Sequence, residues 1–142
     1  MSKEPSVLEF IPPAKPIIGE EEVEAVSAVL RSGMVAQGPQ VAAFEQEFSD
    51  QVVDGAHAVA VNSGTSALHL GLLAAGIGAG DEVIVPSFTF AATANSVAMT
   101  GATPVFVDIE PEHFNLDPKA AEAAITERTA GIMPVHLYGH PA

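Results

Sequence analysis

The sequence predicts an α/β protein: three α/β/α layers built on a mainly parallel β-sheet. Two observations predict it. From residue 57 onward, short β-branched runs alternate with segments of helical pattern, the order produced by βαβ units with right-handed crossovers. The candidate strands are also apolar along their length rather than alternating in polarity, as strands covered by helices on both faces are.

The elements follow in order. Residues 1–18 read as an extended arm, because Pro5, Pro12, Pro13 and Pro16 fix φ and withhold backbone donors. Gly19 precedes Glu20, Glu21 and Glu22, acids that suit the positive end of a helix. Val23, Val26, Val29 and Leu30 then form a narrow apolar stripe, and Gly33 supplies a stop. A second helix opens at Pro39, where a missing N–H costs nothing, with Val41, Phe44 and Phe48 on one face. HAVAV (57–61) is the first predicted strand, and Thr65 to Ala75 a helix that ends at Gly76. EVIVP (82–86) is the second strand, followed by a helix over Thr89 to Thr100. TPVFV (103–107) is the third, Pro118 to Ile125 a helix, and AGIMPV (130–135) the fourth strand. Gly76, Gly78 and Gly80 close a helix and precede a strand. That is the reverse of a dinucleotide-binding fingerprint, so they read as a turn.

Composition narrows the function classes. A length of 142 residues predicts one domain, and 48% hydrophobic with 16% charged residues supports a buried core rather than disorder. Eighteen Asp and Glu against five Lys and Arg give a formal charge of −13. No basic patch for nucleic acid or an anionic membrane surface can be assembled from so few cations. The absence of cysteine excludes thiolate zinc sites and thiol nucleophiles. No apolar run approaches the roughly 20 residues that span a bilayer, and MSKEPSVLEF lacks the pattern of a signal peptide. A cytoplasmic location is the expectation. PVHLYGHPA (134–142) runs off the fourth strand without a closing helix, so the sheet is expected to have open edges. The simplest account is the front part of a longer protein; the alternative is a complete chain whose oligomer covers those edges.

The stretch richest in chemistry is Asn62-Ser63-Gly64-Thr65-Ser66, between a predicted strand and a helix. Gly64 permits a tight turn or a close ligand approach, while Thr65 and Ser66 place hydroxyls and free N–H groups at the first helical turn. Such a turn is an anion site; the alternative is that Ser63 or Thr65 only caps the helix. Ser87-Phe88-Thr89-Phe90 follows the second strand, at the edge where open α/β sheets bind ligands. One phenylalanine there can face a ligand ring while the other packs inward, or both can belong to the core. Asp108 ends the third strand as a candidate functional carboxylate or a turn acid. His136 and His140 lie just past the fourth strand, with no third metal ligand near in sequence. No Gly-Lys-Ser/Thr phosphate loop occurs.

Together, IGEEEVEAVSAVLRSG, QGPQVAAFEQEF, AVNSGTSALHLGLLAAGIGAGDEVIVPSFTFAATANSV, GATPVFVDIEPEHFNLDP and AITERTAGIMPVHLYGHPA resemble the DegT/DnrJ/StrS-like nucleotide-sugar aminotransferases. The likeness runs in order from about residue 10 to the end. It implies a fold-type I large domain, of which residues 19–142 would be the first part, and pyridoxal 5'-phosphate as cofactor. On this resemblance Gly64, Thr65 and Ser66 cup the cofactor phosphate and Phe90 stacks on its pyridine ring. The resemblance further implies a nucleotide-linked keto-sugar as substrate, an amino-acid donor such as glutamate, and a homodimer in the full-length form. The Ser32-Gly33 to Gly38-Pro39 stretch resembles a segment near the active site at that dimer interface. The family's Schiff-base lysine, and the aspartate that pairs with the pyridine nitrogen, would fall beyond Ala142. Lys3, Lys15 and Lys119 match no such motif, so residues 1–142 alone are expected not to transaminate. Readings of another class are a phosphate-ligand-binding or dimerisation module, or a dehydratase or regulator on the same scaffold.

Overall fold

The computed structural model describes Pro12 and residues 14–142. Most of the predicted arm lies outside the described residues; residues 14–18 carry no regular secondary structure. The chain forms two compact units that meet in sequence between Ala60 and Val61.

The first unit holds α1 (Glu20–Ser32) and α2 (Pro39–Val52). Glu22 reaches back to accept the Gly19 N–H at 2.7 Å, a helix-start contact that keeps its carboxyl below the usual carboxylate range. Gly33 closes α1 in the left-handed region at φ 75°, the conformation a glycine tolerates without cost. α2 starts on Pro39, as its fixed φ favours. Neither helix covers its apolar stripe: α1 has no buried residue and α2 buries only Ser49. Phe44 and Phe48 instead pack on each other, with ring centroids 5.9 Å apart.

The second unit is the α/β part. It contains α3 (Gly64–Ala74), β1 (Glu82–Pro86), α4 (Ala92–Met99), β2 (Thr103–Val107), α5 (Pro118–Ala123), β3 (Thr129–Ile132) and a short 3-10 turn, Leu137–Gly139. Both strand pairings are parallel and the order is β2-β1-β3, so β1 is central. Period-two alternation along β1 sends Val83 and Val85 to one face, with Leu72 of α3 and Val97 of α4. Ile84 points to the other face and meets Val107, Leu116 and Ala121 of α5. Helices thus lie on both sides of the sheet, as its apolar strands require. At the amino edge, Glu82 is buried yet accepts from the Thr126 hydroxyl at 2.6 Å and from the Arg128 guanidinium. Ahead of β1, Gly76 and Gly80 turn at φ 80° and 99°, the turn their spacing predicts.

Several boundaries depart from the pattern in the sequence. The run 57–61 is not a strand, so the described sheet has three strands rather than four. An extended run becomes a strand only by joining a ladder, and no described strand lies along this one; Val59 is 79% exposed. The helix predicted from Thr89 begins at Ala92, because Ser87 to Thr89 form bends and the Phe90 carbonyl accepts from Thr93 in a turn. The helix predicted to Ile125 ends at Ala123. β3 stops at Ile132 instead of residue 135; Met133 N–H still bonds the Ile84 carbonyl at 2.9 Å, and Pro134 then has no N–H to continue.

Candidate active site

Beyond the carboxyl ends of the neighbouring strands β1 and β3 lies a cavity of about 730 Å³. That edge is where open parallel sheets present their loops to ligands, and the volume suits a small cofactor. The start of α3 contributes Gly64 and Thr65, the turn after β1 contributes Thr89 and Phe90, and the chain after β3 contributes Met133 and His136.

The α3 start is a capped helix N-terminus. Its Ncap is Ser63, whose Oγ accepts the Ser66 N–H at 3.1 Å. The Ser63 hydroxyl donates to Ser66 Oγ at 3.0 Å, and the Ser66 hydroxyl donates to Asn62 Oδ1 at 2.7 Å. Ser66 is therefore engaged by its own loop and is not among the residues lining the cavity. The N–H groups of Gly64 and Thr65 have no partner among the described residues, and both residues line the cavity. Two free amides at the positive end of a helix favour a bound negative group.

Across the cavity, Phe90 is 78% exposed and presents a ring that no core neighbour covers. Phe88 does not pack inward: it is 49% exposed and meets the exposed ring of Phe114, with centroids 6.2 Å apart. The Thr89 and Thr93 hydroxyls bond each other at 3.0 Å and tie this turn to the first turn of α4. Two free helix-start amides and one exposed aromatic ring thus share a cavity.

His136, weighed from its sequence position only as a metal ligand, lines the cavity. Among the described residues it is the one titratable side chain in the cavity wall, and its Nδ1 accepts the Ala142 N–H at 2.9 Å. The available signal was its place just past the carboxyl end of a strand. His140, four residues on, instead stacks on His113 with centroids 4.2 Å apart. Asp108 is exposed and outside the wall, its carbonyl accepting from Asp117 N–H at 3.0 Å. Lys119 lies in the first turn of α5, and neither it nor Lys15 lines the cavity.

A parallel sheet between helix layers, with this cavity at its carboxyl edge, is the architecture of the fold-type I aminotransferases. The chain belongs to the DegT/DnrJ/EryC1/StrS aminotransferase family, whose model matches residues 16–142. It is 52% identical over 130 residues to the spore coat polysaccharide biosynthesis protein SpsC of Bacillus subtilis (strain 168), covering 92% of this chain and 33% of that one. It resembles the solved structure of DesV from S. venezuelae at 48% identity and a TM-score of 0.77, over 87% of this chain and 34% of DesV. The PMP form of the sugar aminotransferase Spr1654 from Streptococcus pneumoniae matches with a TM-score of 0.85 at 41% identity, over 93% of this chain and 33% of that one. A PLP form of Spr1654 matches with a TM-score of 0.84. The chain thus spans about a third of the length of these relatives.

Proposed function

We propose that this chain forms the cofactor-holding part of a pyridoxal-phosphate-dependent aminotransferase acting on a nucleotide-linked keto-sugar, with glutamate as amino donor. One observation carries the reading: the unpartnered amides of Gly64 and Thr65 share a cavity with the exposed ring of Phe90. In this reading residues 1–18 are an arm and residues 19–142 open the large domain of a cytoplasmic homodimeric enzyme.

The residues divide the work. Gly64 and Thr65 hold the cofactor phosphate through their N–H groups and the Thr65 hydroxyl. Ser66 supports them from behind, because its bonds to Ser63 and Asn62 fix the loop. Phe90 lies against the ring, sets its tilt and keeps water from that face. When bound, the cofactor supplies the carbonyl that takes up and returns the amino group. No lysine among the described residues lines the cavity, and in this reading these residues hold the cofactor while the covalent step uses a lysine from elsewhere in the enzyme.

Pyridoxamine 5'-phosphate tests this directly, since it is fluorescent and has no aldehyde to react with stray lysines. Titrated into the 142-residue chain, it is expected to bind and to be displaced by inorganic phosphate. Binding that phosphate does not compete would remove Gly64 and Thr65 from the phosphate role.

A further inference from the structure

We propose that Asn115 is a positioning residue for the cavity, its buried side-chain amide fastening the Leu137–Pro141 turn and so setting the wall from Met133 to His136. Asn115 sits between β2 and α5 and is 6% exposed. Its Nδ2 reaches His140 Nδ1 and the Pro141 carbonyl, each at 3.1 Å, and its Oδ1 is a second, longer acceptor at 3.4 Å for the Leu137 N–H, which also donates to the Val135 carbonyl at 2.9 Å. The His140 carbonyl lies a little farther from the same nitrogen, at 3.4 Å. Every one of these side-chain bonds joins Asn115 to chain more than twenty residues away.

The wall needs such a fastening. Its last bond to the sheet is Met133 N–H to the Ile84 carbonyl, and Pro134 has no N–H to give. From there the backbone crosses the cavity rim as Pro134, Val135 and His136, all lining it, before reaching the Asn115 contacts. The wall therefore hangs between two anchors, the β1 ladder on one side and one asparagine on the other. The turn it fastens is not one the chain favours unaided: Tyr138 has φ 53°, left-handed for a residue with a side chain. Asn115 is itself well held, because the Glu110 N–H donates to its carbonyl at 2.9 Å and Ile109 bridges Leu116 beside it.

Hydrogen exchange on the 142-residue chain separates local fastening from general stability. In Asn115→Ala the amides of Val135 to His140 are expected to exchange about tenfold faster, the effect of losing roughly one net hydrogen bond. The amides of Val83 to Val85 and of Ala94 to Val97 should keep their rates. Equal acceleration of core and wall, or an unchanged wall, would overturn the proposal. Should Asn115→Ala fail to fold, Asn115→Asp keeps the shape and the acceptor but loses the Nδ2 donors, and the same local acceleration is expected. If that variant is also unfolded, Asn115 is a folding residue and the proposal is wrong. The link to the ligand rests on the cofactor reading above: pyridoxamine 5'-phosphate should bind Asn115→Ala about fivefold to tenfold more weakly, with core protection intact. Unchanged affinity would overturn the positioning role. A wild-type chain that ignores the probe yet shows the local exchange change defeats the cofactor reading and leaves the fastening supported.

Discussion

At the scale of single residues, Thr65 and Phe90 meet one ligand with different forces, so their substitutions should separate. Thr65→Ala removes one hydroxyl from a charged group, a loss of about 1.5–3 kcal/mol, or roughly tenfold to a hundredfold in affinity for pyridoxamine 5'-phosphate. Phe90→Leu keeps apolar volume but loses the flat face, and stacking adds only about 0.5–1.5 kcal/mol beyond area burial. Its main effect should therefore be on the absorption band of the bound cofactor, with a smaller loss of affinity. Fluorescence titration beside difference spectra reads both; equal affinity in Thr65→Ala and the parent would reduce the α3 start to a plain capped helix. The place of Phe90 was legible in the sequence because it follows a real strand, β1; for Gly64 and Thr65 only the helix start was legible, since the strand expected ahead of them at 57–61 does not form. Two other features were legible only in part. Ser66 carries the same chemistry as Thr65 on paper, and that its N–H and hydroxyl bond Ser63 and Asn62 within its own loop is visible only in three dimensions. For His136 the place past a strand end was visible, but the path of the chain after Pro134 that turns it into the cavity was not.

At the scale of elements, the strongest signals were those with local causes. β1 and β2 match their predicted bounds residue for residue, since an apolar β-branched run between turn residues has one comfortable conformation. α1 and α2 keep the starts and stops set by Gly19, Gly33 and Pro39. The run 57–61 carries two alanines, weaker strand formers than the Val and Ile of β1, and it has no ladder partner among the described residues. Burial separates the strands as well. Ile84 is fully buried at the centre of the sheet, whereas Phe106 on β2 is 57% exposed. Ile84→Ala should cost about 2–5 kcal/mol through lost packing and a cavity, and Phe106→Ala no more than about 1 kcal/mol, nearer the range of exposed sites. Urea melts of the two variants check this; similar midpoints would mean that β1 is not the centre of the core.

At the scale of the whole molecule, acid should act in part through the amino edge of the sheet, alongside Glu22 and Glu110, whose carboxyls also lie below their usual range. The Thr126 hydroxyl, then the Arg128 guanidinium, hold the Glu82 carboxyl below its usual range against the opposing effect of burial. A carboxyl lowered by folding stabilises the native state fully above its unfolded value, near 4.3, and loses that contribution as pH falls through the lower folded value. Thermal melts from pH 7 to pH 3 should therefore drop steeply below about pH 4.5, and Glu82→Gln should melt lower at neutral pH with a shallower acid slope. Parallel slopes in the two proteins would place acid sensitivity elsewhere. The strand order has a consequence in time as well. β1 can pair with β2 after a single helical crossover, but β3 reaches its place beside β1 only after a second helix has been made and the chain has passed back over the sheet. Longer closures are entropically dearer and slower. During synthesis, then, the β2 side of the sheet can assemble while the β3 side still waits, and the cavity, which needs the chain after β3, is among the last features to take shape.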